Sequence, residues 1–306
     1  MSYFCLMLSN RMALLLVTAI TPSVWGTTYF VTTEYLPADR PLLAALIRAL
    51  PAGLLLVAVT RRLPTGHWWW RSLVLGFLNI GAFFALLFIA AYRLPGGVAA
   101  TVGAVQPLVV VGLSAALLGQ RLSLRAALAG IAGVIGVSLL VLRPDARLDG
   151  VGVLAALAGA ATMATGIVLS KRWASPAPVL ATTGWQLVAG GLVLLPLTLV
   201  VEGAPPSTLT TQNLLGYAYL TIIGSALAYA LWFRGIRELP AVGVSFLSLL
   251  SPVVATALGW IALDQSLTAV QAIGALVVLA SLIAAQLPAR RSKPETTHRT
   301  LVPTRS

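Results

Sequence analysis

The sequence predicts an all-α integral membrane protein with ten transmembrane helices, and three observations lead to this fold class. Of its 306 residues, 58% are apolar and 9% are charged, whereas soluble domains carry about 25% charged residues. The apolar residues form ten runs, each close to the roughly 20 residues that cross a bilayer as a helix. The runs are separated by short segments that mix charge with proline or glycine, as at 36–40, 61–66, 143–147 and 202–206.

The ten runs are numbered here as spans 1 to 10 in chain order. They lie at 12–33, 41–60, 71–91, 96–118, 123–142, 150–170, 178–201, 212–233, 240–263 and 267–287. Span 1 is interpreted as an uncleaved helix, because its hydrophobicity continues through Trp25 with no small-x-small cleavage site. Residues 288–306 are polar and basic, which predicts a disordered cytoplasmic tail.

The positive charges orient the spans. With the N-terminus placed in the cytoplasm, 15 Lys and Arg residues fall on the cytoplasmic side and 4 on the outer side. Positive charge collects on the cytoplasmic side of membrane proteins. Six of the eight acidic residues fall on the outer side. The distribution therefore predicts that both termini are cytoplasmic.

The chain repeats itself at low identity. A shift of 145 residues aligns 83–142 with 228–287 without a gap and lays Pro107 on Pro252. A shift of 137 aligns Gly53 with Gly190. The two repeats, 1–147 and 148–287, hold five spans each, and because five is odd the halves must be inverted in the bilayer. Inverted repeats of this kind are the architecture of secondary transporters.

Several motifs resemble the EamA family of the drug/metabolite transporter superfamily. They are Trp25-Gly26 in span 1, Arg48 in span 2, the Leu-Pro-Gly-Gly entry to span 4, and the prolines Pro107 and Pro252 within the duplicated five-helix unit. The stretch WGTTYFVTTEYLP…LIRALPAG is similar to the pigment (indigoidine) exporter-like subgroup. The resemblance covers about 1–287 and implies ten helices, inverted repeats, a central cavity and efflux of metabolites or amino-acid-like compounds.

The chain departs from the family pattern at one pair of positions. Many members have a Gly-Glu pair after helices 4 and 9, where this chain has Gly119-Gln120 and Asp264-Gln265. A role for that glutamate does not carry over to this chain, although Asp264 could substitute in the second repeat.

Polar, aromatic and helix-distorting residues inside the spans are the candidate site. Arg48, about seven residues into span 2, either binds substrate or pairs with Glu34, or it is a structural or snorkelling residue. The span-internal prolines kink their helices, for a gate or for packing alone. The substrate-binding candidates are Trp25, Tyr29, Arg48, Asn79, Phe83, Gln106, Trp185, Tyr229 and Ser251, and the gating or kink candidates are Gly26, Pro107 and Pro252.

The sequence also argues against other functions. It has no catalytic constellation, no phosphate-binding Walker motif and no ligand-spaced metal site, so we expect neither an enzyme nor a cofactor. The net charge of +12 is scattered over helix ends without a recognition element, which argues against nucleic-acid binding.

The leading hypothesis is export of a small organic solute across the cell inner membrane, with the lipid bilayer as the other partner and a homodimer left open. A metabolite importer or nucleotide-sugar-type exchanger, which should need more cavity-facing cations, and a non-transporting membrane protein are the alternatives.

Overall fold

The computed structural model describes residues 2–37, 40–94, 96–141, 149–206, 208–262 and 267–287, and within these ranges every regular element is a helix. Ten of the helical stretches are long and apolar enough to cross a membrane. The predicted class and the number of spans are therefore confirmed for the part of the chain that the structure describes. The predicted tail, residues 288–306, lies outside the described residues.

Six of the spans are single helices, and four are interrupted. The single ones are span 1 (Ser2–Tyr35), span 2 (Pro41–Thr60), span 5 (Leu124–Val141), span 6 (Gly150–Arg172), span 7 (Val179–Val201) and span 10 (Ala269–Gln286). Spans 3 and 8 contain π-helical segments, and spans 4 and 9 are broken into two α-helices. Since an unsatisfied backbone group is costly in lipid, such irregular backbone needs protein or water beside it.

Spans 4 and 9 break at equivalent places. Span 4 consists of helices Gly96–Gly103 and Gln106–Leu118, and span 9 consists of helices Ala241–Leu247 and Leu250–Ala262. At both breaks an i→i−3 hydrogen bond is present, from Ala104 N to Thr101 O (3.2 Å), shared with the Ala100 carbonyl (3.0 Å), and from Leu249 N to Phe246 O (3.1 Å). The shift that lays Pro107 on Pro252 also lays the donor and the acceptor of the i→i−3 bond on their counterparts.

The prolines explain the breaks in a way that differs from the expected mid-helix kink. Pro107 and Pro252 lie in the first turn of the second half of their spans, where a missing N–H leaves no helical bond unmade. The helix is interrupted before the proline, because in a continuous helix the proline ring would clash with the carbonyl group four residues earlier. These spans are thus discontinuous helices rather than bent ones.

Spans 3 and 8 carry the second pair of irregularities. Span 3 is Trp68–Gly76, a π-helical segment Phe77–Gly81 and Ala82–Arg93. Span 8 is Thr211–Thr221, a π-helical segment Ile222–Leu227 and Ala228–Glu238. The two π-helical segments begin 145 residues apart, at Phe77 and Ile222, which is the same shift that relates the prolines. Such segments weaken the regular backbone hydrogen bonding of a helix and are frequent at functional sites.

Packing between the two halves of the chain holds the bundle together. Span 2 packs along span 7 and span 5 along span 10, and these are the most extensive helix contacts. The main buried cluster draws on spans 2, 3, 4, 6, 7, 8 and 9. A second cluster includes Ala104 and Leu249, one at each break, together with side chains of spans 5 and 10. The irregular parts of the four interrupted spans therefore lie inside the bundle.

Candidate functional site

Arg48 lies at the meeting of spans 2, 3 and 8. Its side chain is 9% exposed. Nε donates to Ser225 Oγ and Nη2 donates to the Gly224 carbonyl, both at 3.2 Å. Gly224 and Ser225 belong to the π-helical segment of span 8, where the backbone offers acceptors. The guanidinium carbon also lies 4.9 Å from the ring centroid of Phe84, within cation–π distance.

Arg48 has no carboxylate partner among the residues that the structure describes. The two ion pairs in that part of the chain are Arg93 with Asp149 and Arg234 with Glu238. Glu34, the partner considered from the sequence, is exposed and does not pair with Arg48. The charge of Arg48 is therefore balanced here only by neutral acceptors and an aromatic ring.

An aromatic cluster continues from Arg48 towards span 1. The ring of Tyr229 lies 6.4 Å from that of Phe84 and 5.0 Å from that of Trp25. Trp232 lies 5.2 Å from Trp25. Tyr229 and Trp232 are fully buried, whereas Trp25 and Phe83 are partly exposed. The predicted residues Trp25, Arg48 and Tyr229 are thus brought into one cluster, and Phe83 adjoins it through Phe84 at 5.7 Å.

Span 1 connects this cluster to the break in span 9. Trp25 Nε1 donates to the same Gly224 carbonyl that accepts from Arg48, at 3.2 Å. The next residue, Gly26, lies so close to span 9 that a Cβ there would be 2.7 Å from the Ser251 carbonyl oxygen and 2.7 Å from Val254 Cβ. The structure therefore places Gly26 against Ser251, and the close approach requires the absence of a side chain.

A second polar cluster occupies the π-helical segment of span 3. Asn79 Nδ2 donates to Gln186 Oε1 at 2.9 Å and to Ser170 Oγ at 3.3 Å, which ties span 3 to spans 7 and 6. Asn79 is fully buried and packs against Gly166. Asn79 and Gly224 are also 145 residues apart, so each polar cluster includes the third residue of a π-helical segment. Here the partners are neutral amide and hydroxyl groups.

Of the remaining predicted residues, Gln106 and Trp185 lie elsewhere in the bundle. Gln106 is buried beside the break in span 4, and its Nε2 has no hydrogen-bond partner among the described residues. Trp185 is away from the Arg48 cluster, since its indole donates to the Arg62 carbonyl at 2.7 Å beside Trp68. The side chain of Tyr29 lies outside what the structure describes.

Sequence reasoning missed Gly224, Ser225 and Ser170 as site residues. Neither glycine nor serine is unusual in a membrane helix, and a π-helical segment has no residue signature of its own. The 145-residue shift could have identified Gly224, because it aligns Gly224 with Asn79 in the sequence. Phe84 was not among the substrate-binding candidates, although its neighbour Phe83 was.

The arrangement offers chemistry for binding a solute. It combines one buried cation, hydrogen-bonding groups at irregular backbone, and partly exposed aromatic rings. The described residues contain no group of three His, Cys, Asp or Glu side chains that could hold a metal ion. Together, the apolar spans and this polar, aromatic cluster between them define a multi-pass membrane protein with a candidate binding site inside its helix bundle.

Comparison with known proteins identifies the particular family. The model of the EamA-like transporter family matches residues 11–142 and 150–285. The chain belongs to this family, and it is a membrane transporter by that membership. The resemblance noted from the sequence motifs is thereby confirmed.

Individual relatives agree with the family match. The chain is 50% identical over 277 residues to Protein PecM of Dickeya dadantii (strain 3937), with coverage of 89% of this chain and 93% of that one. It is 30% identical to a probable amino-acid metabolite efflux pump of Salmonella typhimurium (strain LT2), with coverage of 85% and 90%. A solved crystal structure matches its fold with a TM-score of 0.77 at 23% identity, covering 91% of this chain and 99% of that one.

The positions that depart from the family's Gly-Glu pair are only partly described. Gly119 ends span 4 with a left-handed backbone (φ 65°), and Gln120 is exposed. Asp264 and Gln265 lie outside the described residues. Substitution of the glutamate by Asp264 stays a prediction.

Proposed function

We propose that this chain is a secondary transporter that exports small organic metabolites across the cytoplasmic membrane by alternating access between two inverted repeats. The observation that carries the proposal is the recurrence of both irregularities, the broken helix and the π-helical segment, at equivalent positions of the two halves. Discontinuous helices contributed by each half to a common site are typical of inverted-repeat transporters.

The geometry around the site supports this mechanism. Gly26 in span 1 packs against the break in span 9, and Trp25 beside it bonds to the π-helical segment of span 8. A tilt of one half against the other would change these contacts together. In alternating access, such rocking exposes a site near the bilayer midplane first to one side and then to the other.

Both termini are proposed to lie in the cytoplasm. The distribution of Lys and Arg, 15 against 4, supports this orientation. Arg11 near the start of span 1 donates to the Gln286 carbonyl at the end of span 10, at 3.3 Å, so these two ends lie on the same side. A metabolite as cargo is supported by the relative described as a probable amino-acid metabolite efflux pump.

The transport proposal is tested by comparing the metabolites exported by cells with and without the gene, and then by following flux in proteoliposomes. We expect one or a few small organic solutes to accumulate outside the expressing cells and to cross the proteoliposome membrane. Absence of any solute difference in cells, together with no flux of the candidate solutes, would refute the proposal. The direction of net flux against an imposed solute gradient distinguishes an exporter from an importer.

The inverted repeat is tested by cysteine labelling. Cys5 is the only cysteine in the sequence, so Cys5→Ser supplies a clean background. Thr65→Cys and Ala204→Cys place one thiol in the exposed connection after the second span of each half. In intact cells, a membrane-impermeant maleimide should label position 204 and spare position 65 until the cells are opened. Labelling of both positions in intact cells would contradict the inversion.

A further inference from the structure

The guanidinium of Arg48 has unused hydrogen-bonding capacity. An arginine carries five N–H donors, and two of them are used, by Ser225 Oγ and by the Gly224 carbonyl. The other three have no acceptor among the groups that the structure describes. A buried cation without a counter-charge is costly. A bound anionic group would supply the counter-charge that the described residues do not.

The shape of the guanidinium indicates which anion fits. Nε and one N–H of Nη2 are bonded to span 8, which fixes the plane of the group and leaves the second N–H of Nη2 and both N–H groups of Nη1 for a ligand. A planar fork of donors matches the two oxygens of a carboxylate. No second Lys or Arg contacts this cluster among the described residues, so a phosphate dianion would keep unbalanced negative charge. A carboxylate, with one charge, balances the site.

The surroundings of Arg48 indicate the rest of the ligand. Trp25 and Phe83 are partly exposed, and they are linked to Arg48 through the buried rings of Tyr229 and Phe84. A planar apolar group attached to a bound carboxylate would stack against these faces, because aromatic rings favour offset or edge contacts.

Within the transport function proposed above, on which this inference depends, we propose that the solute is an aromatic carboxylic acid, as the free acid anion or as an aromatic amino acid, and that Arg48 binds its carboxylate. At Asn79, which the 145-residue shift lays on Gly224, the hydrogen-bond partners are the neutral Gln186 and Ser170, with no cation. The carboxylate is thus bound at the junction of spans 2, 3 and 8, to which both halves of the chain contribute.

The test compares each acid with its amide, because the amide keeps the ring and the size but loses the negative charge. The purified full-length protein in lipid nanodiscs is titrated with phenylacetate and phenylacetamide, and with L-phenylalanine and L-phenylalaninamide, by equilibrium dialysis. The wild type should bind each acid at least about tenfold more tightly than its amide. Equal binding of acid and amide, or no binding of either acid, overturns the inference.

Two substitutions separate recognition by Arg48 from a purely structural role. Arg48→Gln should bind acid and amide equally, and Arg48→Lys should recover part of the preference because it restores the charge without the planar fork. The matched control is Arg71→Gln, since Arg71 also lies on aromatic rings, 5.6 Å from those of Trp68 and Trp173. It should keep the wild-type preference. An acid preference that survives in Arg48→Gln contradicts the inference.

The wild-type comparison keeps the test valid even if Arg48→Gln does not fold. Flux of a metabolite without acid preference would leave the transport function in place and remove only this ligand class. Acid preference without any flux would do the reverse.

Discussion

Replacement of Gly53 by alanine should destabilise the transporter, although alanine is the better helix former. Gly53 lies where span 2 crosses span 7. A Cβ at this position would be 2.5 Å from Val188 N and 2.9 Å from the Leu187 carbonyl carbon, where ordinary contact begins near 3.4 Å. Both neighbours are backbone atoms of a helix, so they cannot turn aside as a flexible side chain would.

The magnitude follows from two opposed effects. To accept the methyl group, spans 2 and 7 must separate by about 1 Å at this point, and packed interiors transmit such strain. Overpacking of this kind costs typically 1–3 kcal/mol, while the change from glycine to alanine in a helix returns up to about 1 kcal/mol. Because the contact is with backbone, we expect the upper part of the cost and a net loss of about 2 kcal/mol.

Gly112 is the matched control. It lies in the second half of span 4, is exposed, and a Cβ there would meet nothing within 4 Å. Gly112→Ala should therefore stabilise by about 0.5–1 kcal/mol. The assay is the equilibrium free energy of unfolding of both variants in mixed micelles. Equal effects of the two substitutions would refute the packing argument, because helix propensity alone treats both positions alike.

Three further predictions follow from the described contacts. Gln186→Leu should cost about 1–3 kcal/mol because Asn79 loses its amide partner, and a double change to leucine at both positions should cost less than the sum of the single changes in a double-mutant cycle of unfolding. Glu202→Ala should lower the free energy of unfolding by about 1 kcal/mol, because the Glu202 carboxylate accepts hydrogen bonds from Leu42 N and Leu43 N at the start of span 2. Glu202→Gln should have a free energy of unfolding between those of the wild type and Glu202→Ala. An unchanged free energy of unfolding in Glu202→Ala would contradict the capping role. The acidic residues that the structure describes lie at span ends, so solute flux in proteoliposomes should not depend on a pH gradient, and a strict dependence would show that another group couples protons.

Much of the architecture could be predicted from the sequence because a lipid environment leaves few choices. The number of spans follows from hydrophobic length, since every backbone group must be satisfied within its own helix. The alignment of the two halves also singled out Gly53 and Gly190, and both prove to be points where helices approach too closely for a side chain. Glycine at such positions is what close packing in lipid requires.

The candidate site could be predicted only in part. Trp25, Arg48 and Tyr229 were named from their residue types, and they lie in one cluster. Trp185 has the same character but bonds to the Arg62 carbonyl elsewhere. Residue type shows that a side chain is amphipathic or costly to bury, but the rotation of its helix decides what it faces.

The sequence by itself predicted ten apolar spans and an internal repeat, and it placed a cation within span 2. These properties are local, because hydrophobic length and charge can be read along one helix. Only the tertiary structure decided that Arg48 bonds to Gly224 and Ser225, 176 and 177 residues away, with no carboxylate among the described residues. That choice depends on helix packing and on the irregular backbone of span 8, which arise from contacts summed over several spans rather than from any one segment.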